Sequence, residues 1–431
     1  MTIEQLEEEI SAIPRFGAQA SLENLGKYLE VLGHPESNLR VLHVAGTNGK
    51  GSVCAYLEAI LRTAGYRTAL FTSPHLVHFN ERFRINFQVC EDNKLTEAWQ
   101  KIKALMEGQK YPQLKPLTYF EILFLMSLLI FSKENVDYCI METGLGGRLD
   151  ATVLTRPVLS VLTSISLDHV GILGDTIPAI AAEKAGIIKP GVPVVAINEN
   201  NGAFPVFRKK AEEEQTSLYE IRSENIRFSK KSKNNIDFSM ESSYYKNSHL
   251  TVRGQADYQA CNGALAALAV KVLLPRIEDE IIQKGLLAMC WPGRMEEIRP
   301  GVYVDGAHNP GAVRQICHTI RRMGGKWHLL FAVCQDKAYE EMIRMLADIP
   351  WKDIRVTAIE EARGMEAAEV MRCFQKNTEV PLYQFEDVGE ALLAALRHKE
   401  EDERLLCLGS LYLVGEIRRR EPYSLESEDI S

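Results

Sequence analysis

The stretch Leu39-Arg-Val-Leu-His-Val-Ala-Gly-Thr-Asn-Gly-Lys-Gly-Ser52 decides how the chain is read. Val41, Leu42, Val44 and Ala45 make a short apolar run of the kind that forms a buried strand. Val53 to Leu61 then repeats its apolar residues at helical spacing. Strand, glycine turn and helix together gather backbone N–H groups and a helix N-terminus around one small volume, which suits a polyphosphate. Gly46, Gly49 and Gly51 let the main chain come close, Lys50 adds a point charge, and Ser52 offers a hydroxyl to an accompanying Mg²⁺. The strict phosphate-loop spacing wants glycine where Val44 stands, so this is a compressed form of the loop. The lysine and the flanking elements disfavour the alternative of an ordinary glycine turn.

Outward from this loop, residues 2–13 and 21–33 read as short amphipathic helices, and Arg67 to Phe71 as a second strand. Residues 96–107 and the strongly apolar Tyr119 to Ser132 read as helices. Tyr138 to Met141, Val158 to Leu162 and Val192 to Ala196 read as strands, with a helix Ile177 to Ile188 between the last two. Strands alternating with helices imply a mostly parallel sheet covered on both faces. Residues 223–254 alternate apolar and polar residues between Lys/Asn/Ser turns, which predicts a small antiparallel appendage. After two more helices, Ala256 to Leu274 and Asp279 to Met289, the breaker-rich Trp291-Pro-Gly-Arg294 marks a joint. Gly301 to Val304, His328 to Val333 and Leu405 to Leu408 are strands of a second α/β unit. The expected fold class is therefore α/β. A P-loop, parallel-sheet, ATPase-like N-terminal domain would cover 1–294, and a smaller Rossmann-like C-terminal domain 295–431.

A length of 431 residues favours two domains, and 46% hydrophobic with 25% charged residues is ordinary for a globular protein. A net charge of −8 argues against a dedicated nucleic-acid or anionic-membrane binder. The longest apolar stretch, Phe120 to Phe131, is too short to span a membrane and contains Glu121. Nine cysteines without a C-x-x-C pair and an acidic N-terminus fit reduced thiols in a cytoplasmic protein.

In open parallel sheets ligands sit beyond the C-terminal strand ends. Ser73, Glu142 and Asp168-His169 all fall there, and a hydroxyl, a carboxylate and an imidazole could jointly bind divalent ions. Taken singly, each has an everyday explanation; three at successive strand ends favour the metal reading. Lys184 lies within a largely apolar helical run. If buried near the metal it would become a neutral amine able to take up CO₂, giving a carbamate ligand. In the second domain Asp305 ends a strand, where it would meet ribose hydroxyls, and His308 could meet phosphate. Arg294 at the joint could reach the triphosphate.

These residues lie in motifs that, together and in order, make the chain resemble the folylpolyglutamate synthase / dihydrofolate synthase family of Mur-type amide ligases. The motifs are Gly46 to Ser52, Phe71-Thr-Ser-Pro-His-Leu76, Phe79-Asn-Glu-Arg82, Leu117-Thr-Tyr-Phe-Glu121 and Glu142-Thr-Gly-Leu-Gly-Gly-Arg-Leu-Asp150. They continue with Asp168-His-Val-Gly171, Glu183-Lys-Ala-Gly-Ile-Ile188, Trp291 to Arg294, Asp305-Gly-Ala-His-Asn-Pro310 and Gly409 to Gly415. The resemblance covers roughly residues 14–420. It implies ATP binding by Asn48, Gly49, Lys50, Gly51, Ser52, Asn262, Arg294 and Asp305, and Mg²⁺ binding by Ser73, Glu142 and His169. It also implies a carbamylated Lys184, catalytic roles for Lys184, Lys50 and His308, and folate contacts from Thr118, Tyr119, Phe120, Glu121, Leu149, Asp150 and Ala151.

The implied reaction is ATP-dependent ligation of L-glutamate to a folate or dihydropteroate through an acyl phosphate. A cytoplasmic monomer with small-molecule partners, no nucleic acid and no membrane is expected. Three positions depart from the family pattern: Ser21-Leu-Glu-Asn24 stands where Gly-Leu-Glu-Arg is common, Val153 where Asn is usual, and Gly263 where Ala is common. Two other readings stay open: a Mur-type ligase for another acid, and a nucleotide-binding protein without catalysis.

Overall fold

The computed structural model describes residues 1–15, 21–108, 110–231 and 234–420. By its contacts the chain divides into two units. One comprises Met1–Ser166, Val170–Arg253 and Tyr258–Cys290; the other comprises Leu167–His169, Gly254–Asp257 and Trp291–Ser431.

The first unit is built on an eight-stranded sheet in the order β4-β3-β2-β5-β1-β6-β7-β8. In chain order these are β1 Val41–Ala45, β2 Thr68–Phe71, β3 Phe83–Ile85, β4 Gln88–Val89, β5 Tyr138–Glu142, β6 Pro157–Leu162, β7 Val194–Asn198 and β8 Leu218–Arg222. The strands β2, β5, β1, β6, β7 and β8 are parallel, while β3 and β4 close the edge as an antiparallel hairpin. Every residue of β1 and β5 is buried, as expected of strands covered on both faces. On one face the apolar helix Tyr119–Phe131 supplies Ile122, Phe124 and Leu128 to a core shared with Phe71 and Phe83. On the other, Ile180, Ala181 and Phe207 pack beneath β6 and β7.

The predicted appendage is a three-stranded antiparallel sheet, β9 Ile226–Lys231, β10 Asn235–Glu241 and β11 Lys246–Arg253. Gln283, on the helix Asp279–Ala288, pairs through its side chain with both the N–H (2.9 Å) and C=O (3.2 Å) of Thr251 in β11. Gly263 finds its reason here. A Cβ at that position would lie 2.8 Å from Val252 Cγ1, too close for the alanine common elsewhere.

In the second unit six strands run β12-β13-β17-β14-β15-β16. They are β12 Glu296–Arg299, β13 Val302–Asp305, β14 Trp327–Phe331, β15 Trp351–Thr357, β16 Leu382–Phe385 and β17 Arg404–Leu408. All pairings but β12–β13 are parallel. The strands β3, β4, β8, β12, β15 and β16 were not legible as strands in the sequence. Among the described residues no helix is long and apolar enough to cross a membrane.

Candidate active site

The glycine turn sits at the C-terminal end of β1, the central strand between β5 and β6. Its first half is a fastening. The N–H groups of Thr47 and Asn48 donate to the Ser164 carbonyl (2.8 and 3.2 Å), and Thr163 Oγ1 donates to the Asn48 carbonyl at 2.7 Å. Asn48 Nδ2 adds a bond to Ser166 Oγ at 2.9 Å. These two N–H groups, one of them from Asn48, which the resemblance assigned to ATP, thus tie the turn to the segment just after β6. The second half can cradle an anion. The helix Lys50–Thr63 begins directly after Gly49, so the N–H groups of its first turn lack intrahelical partners. Gly49 has φ +84°, and a Cβ there would collide with Asn262 Oδ1. Asn262, buried and bonded through Nδ2 to Gln259 Oε1 at 3.1 Å, is therefore part of the cradle wall.

Lys50 Nζ lies 3.3 Å from the Thr47 carbonyl and 4.0 Å from Glu142 Oε1. The other Glu142 oxygen accepts from the Ser73 N–H at 3.1 Å. Among the described residues, buried Ser52 Oγ and Thr143 Oγ1 find no hydrogen-bond partner, which is unusual for polar atoms unless a ligand completes them. A carboxylate with several hydroxyls is a hard-oxygen set that fits a divalent cation such as Mg²⁺.

Lys184 is not mid-helix as the sequence suggested. The helix Ile177–Lys184 ends at it, followed by a 3₁₀ turn over Ala185–Ile187. The side chain is buried, and its Nζ donates to the Gly46 carbonyl at 2.7 Å. Close approach explains the neighbouring glycines: a Cβ on Gly147 would lie 3.0 Å from Lys184 Cα, and one on Gly186 would strike the Arg148 backbone.

The proposed folate segments share one core cluster, which contains Ala151 and against which Phe120 packs, and a Cβ on Gly144 would lie 2.6 Å from Phe120 Cζ. Several of their polar groups, however, frame the local structure. Glu121 accepts from both N–H and Oγ1 of Thr118 (2.7 and 2.8 Å), a capping box opening the helix Tyr119–Phe131. Asp150 accepts from the N–H of Leu145 (2.9 Å) and of Thr152 (3.0 Å), and from the Thr152 hydroxyl. Burial pushes its pKa up against these bonds. Ala151 is buried and Leu149 is 67% exposed. Asn24, where the family often has arginine, is buried and bonds both the C=O and N–H of Lys115 (3.1 and 2.9 Å), bracing the approach to Thr118.

In the second unit the centre is Asp168, which the sequence reading named with His169 at a strand end but gave no role of its own. Lys337 Nζ lies 3.0 Å from Asp168 Oδ1, Asn309 Nδ2 3.2 Å from Oδ2, and His308 Nε2 3.7 Å from Oδ2. Burial alone would raise the Asp168 pKa, but His308, Lys337 and His169 outweigh it and hold the carboxyl far below the usual range. His308 Nδ1 faces the Gly306 carbonyl at 2.8 Å. Lys337, in Gln335-Asp-Lys337 beyond β14, was missed; its place just past a strand end is the signal that could have found it. His169, at φ +50°, has Nε2 3.9 Å from Asp168. Of the three metal candidates, direct bonding joins Ser73 to Glu142, while His169 belongs by its contacts to the other unit. Asp305 is buried and accepts from the N–H of Met295 and of Ala307 (2.7 and 2.8 Å), and Arg294 bonds the Gly293 carbonyl.

Residues 44–270 match the family described as the Mur ligase middle domain, and 293–411 that described as the Mur ligase, glutamate ligase domain. The chain is 34% identical over 418 residues to a dihydrofolate synthase/folylpolyglutamate synthase of Bacillus subtilis, covering 94% of this chain and 96% of that one. It is 32% identical over 419 residues to a folylpolyglutamate synthase of Lacticaseibacillus casei, covering 95% and 96%. A solved structure of the bifunctional enzyme from Yersinia pestis, complexed with AMPPNP and Mn, superposes with a TM-score of 0.86 at 27% identity and 98% coverage of both chains.

Proposed function

The chain belongs to the folylpolyglutamate synthase / dihydrofolate synthase family of Mur-type ligases, and from that premise we propose how its residues share the work. It is an ATP-dependent ligase that adds L-glutamate to a folate. The bifunctional relative from Bacillus subtilis and the bifunctional solved structure from Yersinia pestis favour the use of dihydropteroate as well. We propose both activities.

In the proposed reaction the substrate carboxylate attacks the γ-phosphorus of ATP, releasing ADP and forming an acyl phosphate. The amine of L-glutamate then attacks the acyl carbon, and the tetrahedral intermediate collapses to amide and inorganic phosphate. Lys50 and the first turn of the helix Lys50–Thr63 hold the phosphates and offset charge on the transferring group. The observation that carries this reading is the contact set around Glu142: Ser73 N–H on one oxygen, Lys50 near the other. A divalent cation, which we take to be Mg²⁺, would offset the negative charge of the phosphates when bound. Glu142, Ser73, Ser52 and His169 are its proposed holders. Asn48, Asn262, Arg294 and Asp305 are assigned to the nucleotide, and Thr118 to Glu121 with Leu149 to Ala151 to the folate. Tyr119, Phe120 and Leu149 would offer surface while the others brace it. His308, backed by Asp168, is assigned to phosphate.

We also assign a carbamate to Lys184. A carbamate keeps one N–H, enough to preserve the bond to Gly46, and exchanges the buried ammonium for an anion that a divalent cation would pair. A monomer, a cytoplasmic location and a functional division after Arg294 complete the proposal. The test is product mass spectrometry with dihydropteroate and tetrahydrofolate offered separately, each with ATP and glutamate. A glutamylated product from each supports the dual reading, and none from dihydropteroate would remove that half.

A further inference from the structure

Phe79-Asn-Glu-Arg82 is a motif to which the proposed reaction gives no task. Its last two residues clamp the loop after β2. Glu81 accepts from the N–H groups of Leu76 (2.8 Å), Val77 (3.0 Å) and His78 (2.8 Å). Arg82, only 5% exposed, spreads its guanidinium over three partners. Nε donates to His75 Nδ1 at 3.0 Å, one terminal nitrogen to Ser73 Oγ at 3.1 Å, and the other to the Tyr119 hydroxyl at 3.2 Å. A guanidinium only donates, so all three partners must accept. His75 therefore carries its ring proton on Nε2, which faces Glu7 Oε1 at 3.4 Å. Both hydroxyls have their protons turned away from Arg82.

We propose that Arg82 is a positioning residue that orients the Ser73 hydroxyl on the metal side and the Tyr119 hydroxyl on the folate side through one rigid fork. The inference rests on the assignment of Ser73 to the metal and Tyr119 to the folate. Ser73 is held at both ends, its N–H on Glu142 and its Oγ on Arg82, so its remaining lone pair has a fixed direction. Tyr119 opens the helix Tyr119–Phe131, and its ring also lies 5.7 Å from the Arg82 guanidinium carbon. Lysine, a point donor on a flexible stem, cannot reproduce a planar three-way fork.

The test uses the full-length enzyme in two titrations: Mg²⁺ at saturating folate, and folate at saturating Mg·ATP. Ser73→Ala should raise the Mg²⁺ requirement and Tyr119→Phe the folate KM, each about three- to tenfold for one lost hydrogen bond. Arg82→Met should raise both together, and adding Ser73→Ala to it should raise the Mg²⁺ requirement no further. Arg82→Lys should move both less. A folded Arg82→Met enzyme with a lowered melting temperature but unchanged titrations would overturn the proposal, because a merely structural role predicts that result. If Arg82→Met does not fold, Arg82→Lys decides by the same titrations, and no change in either again overturns it. Should Ser73→Ala and Tyr119→Phe themselves shift nothing, the underlying site assignments fall; if they shift as expected and the Arg82 variants do not, this inference alone fails.

Discussion

Replacing Gly49 by alanine tests the cradle at its tightest point. Gly49 holds φ +84°, and an added Cβ would lie 3.2 Å from Asn262 Cγ and collide with its Oδ1. A left-handed conformation costs a non-glycine residue about 1–2 kcal/mol, and displacing Asn262 also loosens its bond to Gln259. Together these come to roughly 2 kcal/mol or slightly more, about a 30-fold change in an equilibrium constant. Global stability need not fall by that amount, because the turn can relax locally. The relaxed turn no longer presents the first helical turn to phosphate, so the competent form would drop to about one molecule in 30 and apparent ADP affinity would fall by the same factor. Calorimetric titration of ADP into the wild type and Gly49→Ala measures this directly. Gly26→Ala is the control: it lies in the helix Leu22–Leu32 with nothing within 4 Å of the new Cβ. It should stabilise the protein by about 0.5–1 kcal/mol and leave ADP affinity alone. Gly49→Ala binding ADP within threefold of the wild type would refute the reasoning.

Glu142→Ala removes the carboxylate beside Lys50 and Ser73, so Mg²⁺-dependent turnover should fall by orders of magnitude; an unchanged Mg²⁺ titration would count against the metal assignment. Asp168→Asn strips the negative charge facing Lys337 and His308, and a loss of about 1–3 kcal/mol in denaturant unfolding is expected. An unaltered midpoint would show that the cluster holds little together. Lys184 should give a carbamate signal in ¹³C NMR after exchange with labelled bicarbonate, absent in Lys184→Ala; identical spectra would exclude the modification.

Buried His328, on β14, bonds Asp353 and Glu403 at 2.9 Å each, with Arg355 and Lys352 behind these carboxylates and Lys326 nearby. Burial would lower its pKa, but the two carboxylates outweigh that and raise it. Its stabilisation should therefore be complete below about pH 6.5 and be lost as pH rises through the raised value. The partners set the acid side. Glu403, lowered to about 2 chiefly by Lys352, gives stability that is present above about pH 4 and lost as pH falls through its folded value. The melting gap between wild type and His328→Gln should narrow from pH 6 to pH 9, and a constant gap would contradict the ionic account.

Local chemistry settled much of this protein in one dimension. An apolar run, three glycines around a lysine and a 3.6-residue repeat are enough to specify strand, turn and helix over 41–63, because each rests on bonds between residues close in sequence. The capping box at Thr118 and Glu121 joins residues only three positions apart, although the sequence reading gave both to the folate. What needed the tertiary structure were pairings between distant segments. The edge pair β3–β4 is five residues of short strand, too little for a period to show. Asp168 meets Lys337 across 169 positions, Lys184 meets Gly46 across 138, and Arg82 reaches Tyr119 across 37. No local pattern marks such partners, since nothing in a side chain's neighbours along the chain states which strand end will stand beside it. Strand order decides that. Placing β1 between β5 and β6 brings the glycine turn to Glu142 on one side and to Ser164 on the other.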